Sequence, residues 1–237
     1  MFTQVIEPLG DLFEPRLTPV YASLMSDLIG RPELKQRYES IRQSKIFEKQ
    51  SPSKVFVLSR VTLGADVAVT SVLMDAAKRR FPKAEIYFAG NRKGWELFAD
   101  DARIKHRDIP YGRTALLADR LAACPHLDEP DSIVIDPDSR LSQLGLLPVC
   151  KDENYFFFES RAFGGASTKT LSQLAAEWAE QTFEVAGAKP YIAPLRTNVA
   201  PAEVTVSLGV GENPLKRFED PFESQLLSLL PENTLVD

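Results

Sequence analysis

The chain has 237 residues, 44% hydrophobic and 26% charged, with a formal net charge of −5 and an isoelectric point of about 5.3. Composition of this kind excludes a fibrous or disordered chain, and the acidic balance removes any general electrostatic case for nucleic acid. Two cysteines, Cys124 and Cys150, make no disulfide framework and fit a reducing compartment, and His106 and His126 lack the neighbours of a metal site.

Residues 1–53 read as an N-terminal helical extension. Its first part carries Glu7, Asp11 and Glu14 and has no apolar core of a secretory signal. Leu17 to Ile29 predicts a helix. Leu34 to Phe47 predicts a second, charged one, with Tyr38, Ile41 and Ile46 as its apolar stripe. Ser51-Pro52-Ser53 is turn chemistry. No run reaches the roughly 18 apolar residues of a membrane span, so the chain is expected to be cytoplasmic and at most peripheral on a membrane.

From Val55 onward strands and helices alternate. Strands are expected at Val55–Ser59, Glu85–Ala89, Lys105–Ile109 (an edge strand), Ser132–Ile135 and Asn154–Phe158. Helices are expected from Asp66 to Phe81, near Trp95 to Phe98, from Thr114 to Ala123 and from Leu171 to Val185, with Gly187 as the stop. Continuous β-branched and aromatic runs between helices predict an α/β fold with a Rossmann-like parallel sheet covered on both faces, over residues 54–188. Pro190, Pro194 and Pro201 suggest a linker over 189–201. Residues 202–237 read as the start of a second Rossmann-like domain, with strands at Val204–Leu208 and Thr234–Val236 around a helix at Phe222–Leu230. One such unit cannot bury both faces of its sheet, so Asp237 is read as falling inside a folding unit.

Two strand-to-helix turns carry the chemistry. In Val61 to Thr70, Gly64 and Ala65 bring backbone to the sheet edge and Asp66 supplies a carboxylate. Asp66 is either a helix-start charge stabilised by the dipole or a general base that takes the proton of a sugar hydroxyl. The dipole is expected to keep it ionised. In Gly209 to Arg217, the Gly211-Glu212-Asn213 loop and Lys216 suit a diphosphate leaving group, or form a solvated loop with a basic pair. The spacing is neither a P-loop nor a dinucleotide fingerprint.

Leu63-Gly64-Ala65-Asp66-Val67-Ala68-Val69-Thr70, with Phe81-Pro82-Lys83-Ala84-Glu85-Ile86, resembles the N-terminal domain of the heptosyltransferases, glycosyltransferase family 9. Lys216-Arg217-Phe218 looks like that family's Lys-x-Trp-Pro stretch. Ala65, Phe218 and Glu219 depart from the family pattern, as does the extension before Ser53. The resemblance implies a two-domain GT-B fold, inversion at the anomeric carbon and no cofactor or metal. It implies a nucleotide-diphosphate sugar donor such as ADP-heptose, and a glycan or glycolipid acceptor of the bacterial lipopolysaccharide type. Asp66 would be the catalytic base and Lys216, with Gly211, Glu212 and Asn213, the donor-phosphate site. Gly64, Ala65, Arg140 and Arg161 would face the acceptor.

Other readings stand beside it. Ile135-Asp136-Pro137-Asp138 ends an apolar strand and resembles the first motif of Mg²⁺-dependent haloacid-dehalogenase-like phosphohydrolases, with Asp136 as nucleophile and Asp138 as acid/base. The same aspartates could instead be structural. Glu159 and Arg161 could be a simple ion pair, and Trp95 and Trp178 core residues. A non-catalytic sugar-nucleotide-binding domain is the third alternative.

Overall fold

The computed structural model describes residues 2–48, 51–112, 115–163, 167–195, 218 and 221–230. The chain forms two compact units, Met1–Arg196 and Thr197–Asp237. The first opens with a π turn at Phe2–Ile6, the short α1 (Glu7–Leu9) and a 3-10 turn at Pro15–Leu17, then α2 (Thr18–Leu28) and α3 (Glu33–Ile41). There follow β1 (Lys54–Leu58), α4 (Leu63–Ala65), a π turn at Asp66–Thr70 and α5 (Ser71–Arg80). Next come β2 (Glu85–Gly90), α6 (Arg92–Trp95), β3 (Ile104–Asp108), α7 (Leu117–Ala122), β4 (Ser132–Asp136), β5 (Tyr155–Phe157) and α8 (Leu171–Phe183). The described part of the second unit contains α9 (Phe222–Ser228), with the Phe218 and Phe222 rings 4.5 Å apart. The strands expected at 204–208 and 234–236 lie outside the described residues.

The five strands form one all-parallel sheet in the order β3-β2-β1-β4-β5. This is the expected Rossmann-like architecture. Strand order reverses at β1 and β4, which pair with Val55 opposite Ile133. Chain excursions after these two strands leave in opposite directions, the switch point at whose carboxyl ends sheets of this kind hold ligands. β4 is buried along its whole length because Ser132-Ile133-Val134-Ile135-Asp136 offers apolar side chains to both faces. At the edge, β3 buries only Ile104.

Side-chain alternation sends two sets of residues to opposite faces. Val55, Val57, Ile86, Phe88, Ile133, Ile135 and Phe156 pack under α5 and α8, against Val72, Leu73, Leu174 and Phe183. Phe56, Leu58, Val134, Tyr155 and Phe157 pack on the other face, against Ile6, Tyr21, Met25, Leu34 and Tyr38. The N-terminal extension is therefore one of the two layers covering the sheet.

Three element ends differ from expectation. The charged helix stops at Ile41 instead of reaching Phe47. Phe47 is drawn into an aromatic cluster with Phe81, Phe156 and Phe183, and its N–H donates to Thr182 O at 2.8 Å. Aromatic burial here outweighs helical periodicity. Glu184, at φ 59, ends α8 in place of Gly187. The segment expected to be a linker is docked as far as Ala193: Tyr191 donates to Asp101, and Ala193 exchanges backbone hydrogen bonds with Leu97 and Asp100.

Two glycines give opposite expectations. A Cβ at Gly90 would lie 2.4 Å from Ser59 Cβ, so Gly90→Ala is expected to cost about 1–3 kcal/mol by overpacking. A Cβ at Gly64 meets nothing within 4 Å among the described residues, so Gly64→Ala is expected to gain up to about 1 kcal/mol. Urea midpoints of the two variants measure both.

Candidate functional site

The side chains at the switch point come from the loops after β1, β4 and β5. Val61 takes φ 60 just beyond β1, which turns the chain back toward the start of α4. The Asp66 carboxylate closes this turn. It accepts from Ser59 Oγ, the Arg60 backbone N–H and Thr70 Oγ1, each at 2.7 Å. Ser59 Oγ in turn accepts from the Val61 N–H at 2.9 Å. Gly94 on α6 lies against the same carboxylate, since a Cβ there would be 3.2 Å from Asp66 Oδ2. Asp66 is 1% exposed.

Burial pushes the Asp66 carboxyl above the ordinary aspartate range, against the pull of Thr70, Ser59 and Arg60. The dipole was expected to do the reverse. Asp66 already donates its own N–H to Thr62 O at 2.9 Å. It sits inside the first turn, and its side chain folds back toward β1. Desolvation then decides the balance. Gly64 is exposed and Ala65 half-buried on the outer side of the turn.

Asp136 ends β4 and is fully buried. It accepts from the Ser139 N–H at 2.6 Å and from Ser142 Oγ and Tyr155 Oη at 2.5 Å each. Burial pushes its pKa up to about 6. Asp138, at φ 71, has different partners: the Arg161 backbone N–H at 3.0 Å, Arg161 Nε at 2.9 Å and Ser160 Oγ at 3.2 Å. The two aspartates of the motif are thus held by separate sets of donors. Among the described residues, no group of three or more His, Cys, Asp or Glu side chains is placed to share a metal ion.

The loops are stitched to one another. Ser139 Oγ donates to Ser59 O at 2.5 Å, joining the ends of β4 and β1. The Arg60 guanidinium donates to Ser160 Oγ, joining β1 to β5. Arg161 reaches Tyr38 Oη at 3.2 Å on α3 and stacks over the Tyr21 ring of α2 at 5.1 Å.

The N-terminal layer roofs this region. Glu159 accepts from Tyr38 Oη at 2.5 Å and Arg42 Nε at 2.8 Å. Its ion-pair partner is Arg42, not Arg161 as expected, because Asp138 already holds Arg161. Arg140 pairs with Asp11 at 2.6 Å and with Glu7 at 3.6 Å. Arg120 on α7 also binds Glu7. Arg60 lies 5.8 Å over the Phe13 ring.

Asp66, Arg140 and Arg161 therefore belong to neighbouring loops on one sheet edge, joined through Ser59, Ser139 and Ser160. Gly211, Glu212, Asn213 and Lys216 lie outside the described residues. The sequence reading missed Ser59, Arg60, Ser139, Ser142 and Tyr155 as site residues. A usable signal was present in their position: Ser59-Arg60 follow directly after one apolar strand, and Ser139 comes just beyond Pro137-Asp138 after another. Trp95 stacks on His106 at 5.2 Å and Trp178 packs on Phe158 and Phe183, both as apolar packing. No known protein family, curated protein or solved structure matches the chain.

A buried aspartate whose folded pKa is raised favours the folded state while protonated. Its contribution is full below its ordinary value of 3.8 and is lost as pH rises toward about 6. Through Asp136 the chain is expected to lose about 2–3 kcal/mol over that interval. Asp136→Asn should flatten the fall in urea-unfolding free energy between pH 4 and pH 6.5. Equal slopes in the two proteins would show that Asp136 does not titrate there.

Proposed function

We propose that the chain belongs to an inverting, metal-independent glycosyltransferase, with Asp66 as its general base. One observation carries the reading. Asp66 is a carboxylate of raised proton affinity at the carboxyl edge of β1, beside the switch point where α/β sheets bind ligands. In the reaction, Asp66 takes the proton of an acceptor sugar hydroxyl as its oxygen attacks the anomeric carbon of a nucleotide-diphosphate sugar. The bond to the diphosphate breaks, and its electron pair leaves with the phosphate oxygen. Lys216 and the Gly211-Glu212-Asn213 loop are proposed to stabilise that leaving charge. Arg140 and Arg161 belong to the acceptor side. A glycan or glycolipid acceptor and an ADP-heptose-like donor remain the proposed substrates.

The burial of Asp66 favours a second reading. At 1% exposure and with three donors on its oxygens, it could serve only as the clamp of the β1–α4 turn, in a non-catalytic sugar-nucleotide-binding domain. Substrate access under the first reading requires α6 to withdraw Gly94 from the carboxylate. The phosphohydrolase reading has less support, because Asp136 is fully buried and already held by Ser139, Ser142 and Tyr155.

Asp66→Asn in the natural full-length protein separates the readings. The assay is sugar transfer from a panel of nucleotide-diphosphate sugars that includes ADP-heptose, with thermal unfolding measured in parallel. The base role predicts a fall in turnover of about 10²–10⁴-fold with donor binding retained. A clamp predicts a lowered Tm and donor binding without turnover in either protein. Wild-type rates in the Asn variant would remove Asp66 from the chemistry.

A further inference from the structure

Among the described residues, Arg60 follows β1, Arg140 follows β4 and Arg161 follows β5 at the carboxyl ends of the strands, and Arg120 lies on α7 after β3. Such a set at a ligand edge is electrostatically suited to an anion. In the folded chain, Arg120 and Arg140 are answered by carboxylates of the N-terminal segment. Glu7 Oε1 is shared by both guanidiniums, and Asp11 adds a second carboxylate to Arg140 at 2.6 Å. One oxygen between two guanidiniums is the arrangement a phosphate or carboxylate ligand would adopt.

Two further observations point to a ligand. Arg161 is 1% exposed, yet its Nη1 has no hydrogen-bond partner among the described residues; Tyr21 is fully buried, and its hydroxyl likewise has none among them. The two side chains are stacked on each other, and Arg140 follows β4 on the same loop as Asp138, which binds Arg161. Buried donors of this kind are uncommon unless something supplies acceptors. Asp11, in contrast, is 67% exposed at its side chain, so its bond to Arg140 is weak and open to exchange with solutes.

We propose that Arg120, Arg140, Arg161 and Tyr21 form an oxyanion-binding site, and that Glu7 and Asp11 occupy its outer part as internal substitutes for the ligand. The N-terminal segment is then an autoinhibitory plug. The ligand is a molecule bearing a phosphate or carboxylate group, which displaces the two carboxylates from Arg140 and Arg120. The inference rests on the acceptor-side placing of Arg140 and Arg161 in the proposed function. It needs nothing of Asp66, so a failed binding test leaves the base role standing, and a failed turnover test leaves this site standing.

The test compares the full chain with its Glu7→Gln/Asp11→Asn variant. Inorganic phosphate and glucuronate are titrated separately by calorimetry at constant ionic strength. The variant is expected to bind at least one of them about tenfold tighter than wild type, since fewer molecules have the site occupied internally. Which probe binds distinguishes a phosphorylated from a carboxylated ligand. Adding Arg140→Ala should abolish the gain. Equal affinities in the two proteins, no binding in the folded variant, or a gain that survives Arg140→Ala would each overturn the proposal. If the double variant does not fold, Asp11→Asn alone is read by the same criteria, with an expected gain of a few-fold.

Discussion

The buried pair of Asp138 and Arg161 is the constraint on which the carboxyl edge of the sheet depends. Each residue is 1% exposed. Removing two charges from water costs several kcal/mol per ion, and attraction offsets this only where the remaining donors and acceptors are also satisfied. Here Arg161 offers Nε and its backbone N–H to Asp138 and Nη2 to Tyr38 and Leu144 O, which leaves Nη1 without a partner among the described residues. The pair thus fixes the loop after β4, the loop after β5 and helix α3 in one arrangement. Breaking either member would leave an uncompensated charge in the interior, so the three elements move together or not at all.

That coupling explains why the N-terminal extension belongs to the domain. A parallel sheet must be covered on both faces. α5 and α8 cover one face, and the second would be open without α2, α3 and the turns before them. The extension meets the sheet through apolar contacts in its middle and through charge at the carboxyl edge. Ile6, Tyr21, Met25 and Tyr38 are buried, while Glu7, Asp11 and Arg42 pair with groups on the strand loops. A layer built this way covers the edge at which a Rossmann-like sheet binds its ligands. Apolar burial makes the layer permanent, whereas the ion pairs at its rim are the part that can exchange.

The sheet was legible in the sequence because its strands are short apolar runs. Val55 to Ser59 and Ser132 to Ile135 differ from the observed strands by one residue at most at either end. The helices over 17–29 and 171–185 were equally clear from periodicity. What failed depended on distant partners. Residues 42–47 have a helical pattern, yet Phe47 is claimed by rings from α8, β5 and the end of α5, which are remote in sequence. The candidate site was legible in part. Asp66, Arg140 and Arg161 were singled out, and they do lie on adjoining loops. Their hydrogen-bond partners were not legible, because Ser139 to Ser59 and Arg60 to Ser160 are contacts set by the strand order, and one sequence does not state that order.

The same network bears on what Asp66 can do. Three short hydrogen bonds favour its ionised form, and burial opposes it; burial is the larger effect. A carboxylate in that balance binds a proton more readily than an exposed one, which suits a base. Its donors also hold it in one rotamer, as a preorganised group requires. A purely structural clamp needs acceptor oxygens here but no negative charge, and a neutral side chain would avoid the desolvation cost. A titratable carboxyl kept in this buried site, where Arg60 only partly offsets the desolvation, is therefore the feature that the clamp alone does not account for. Catalysis gives that carboxyl a use only if Gly94 and α6 can move off it. The motion of that short helix is the step on which the two readings diverge.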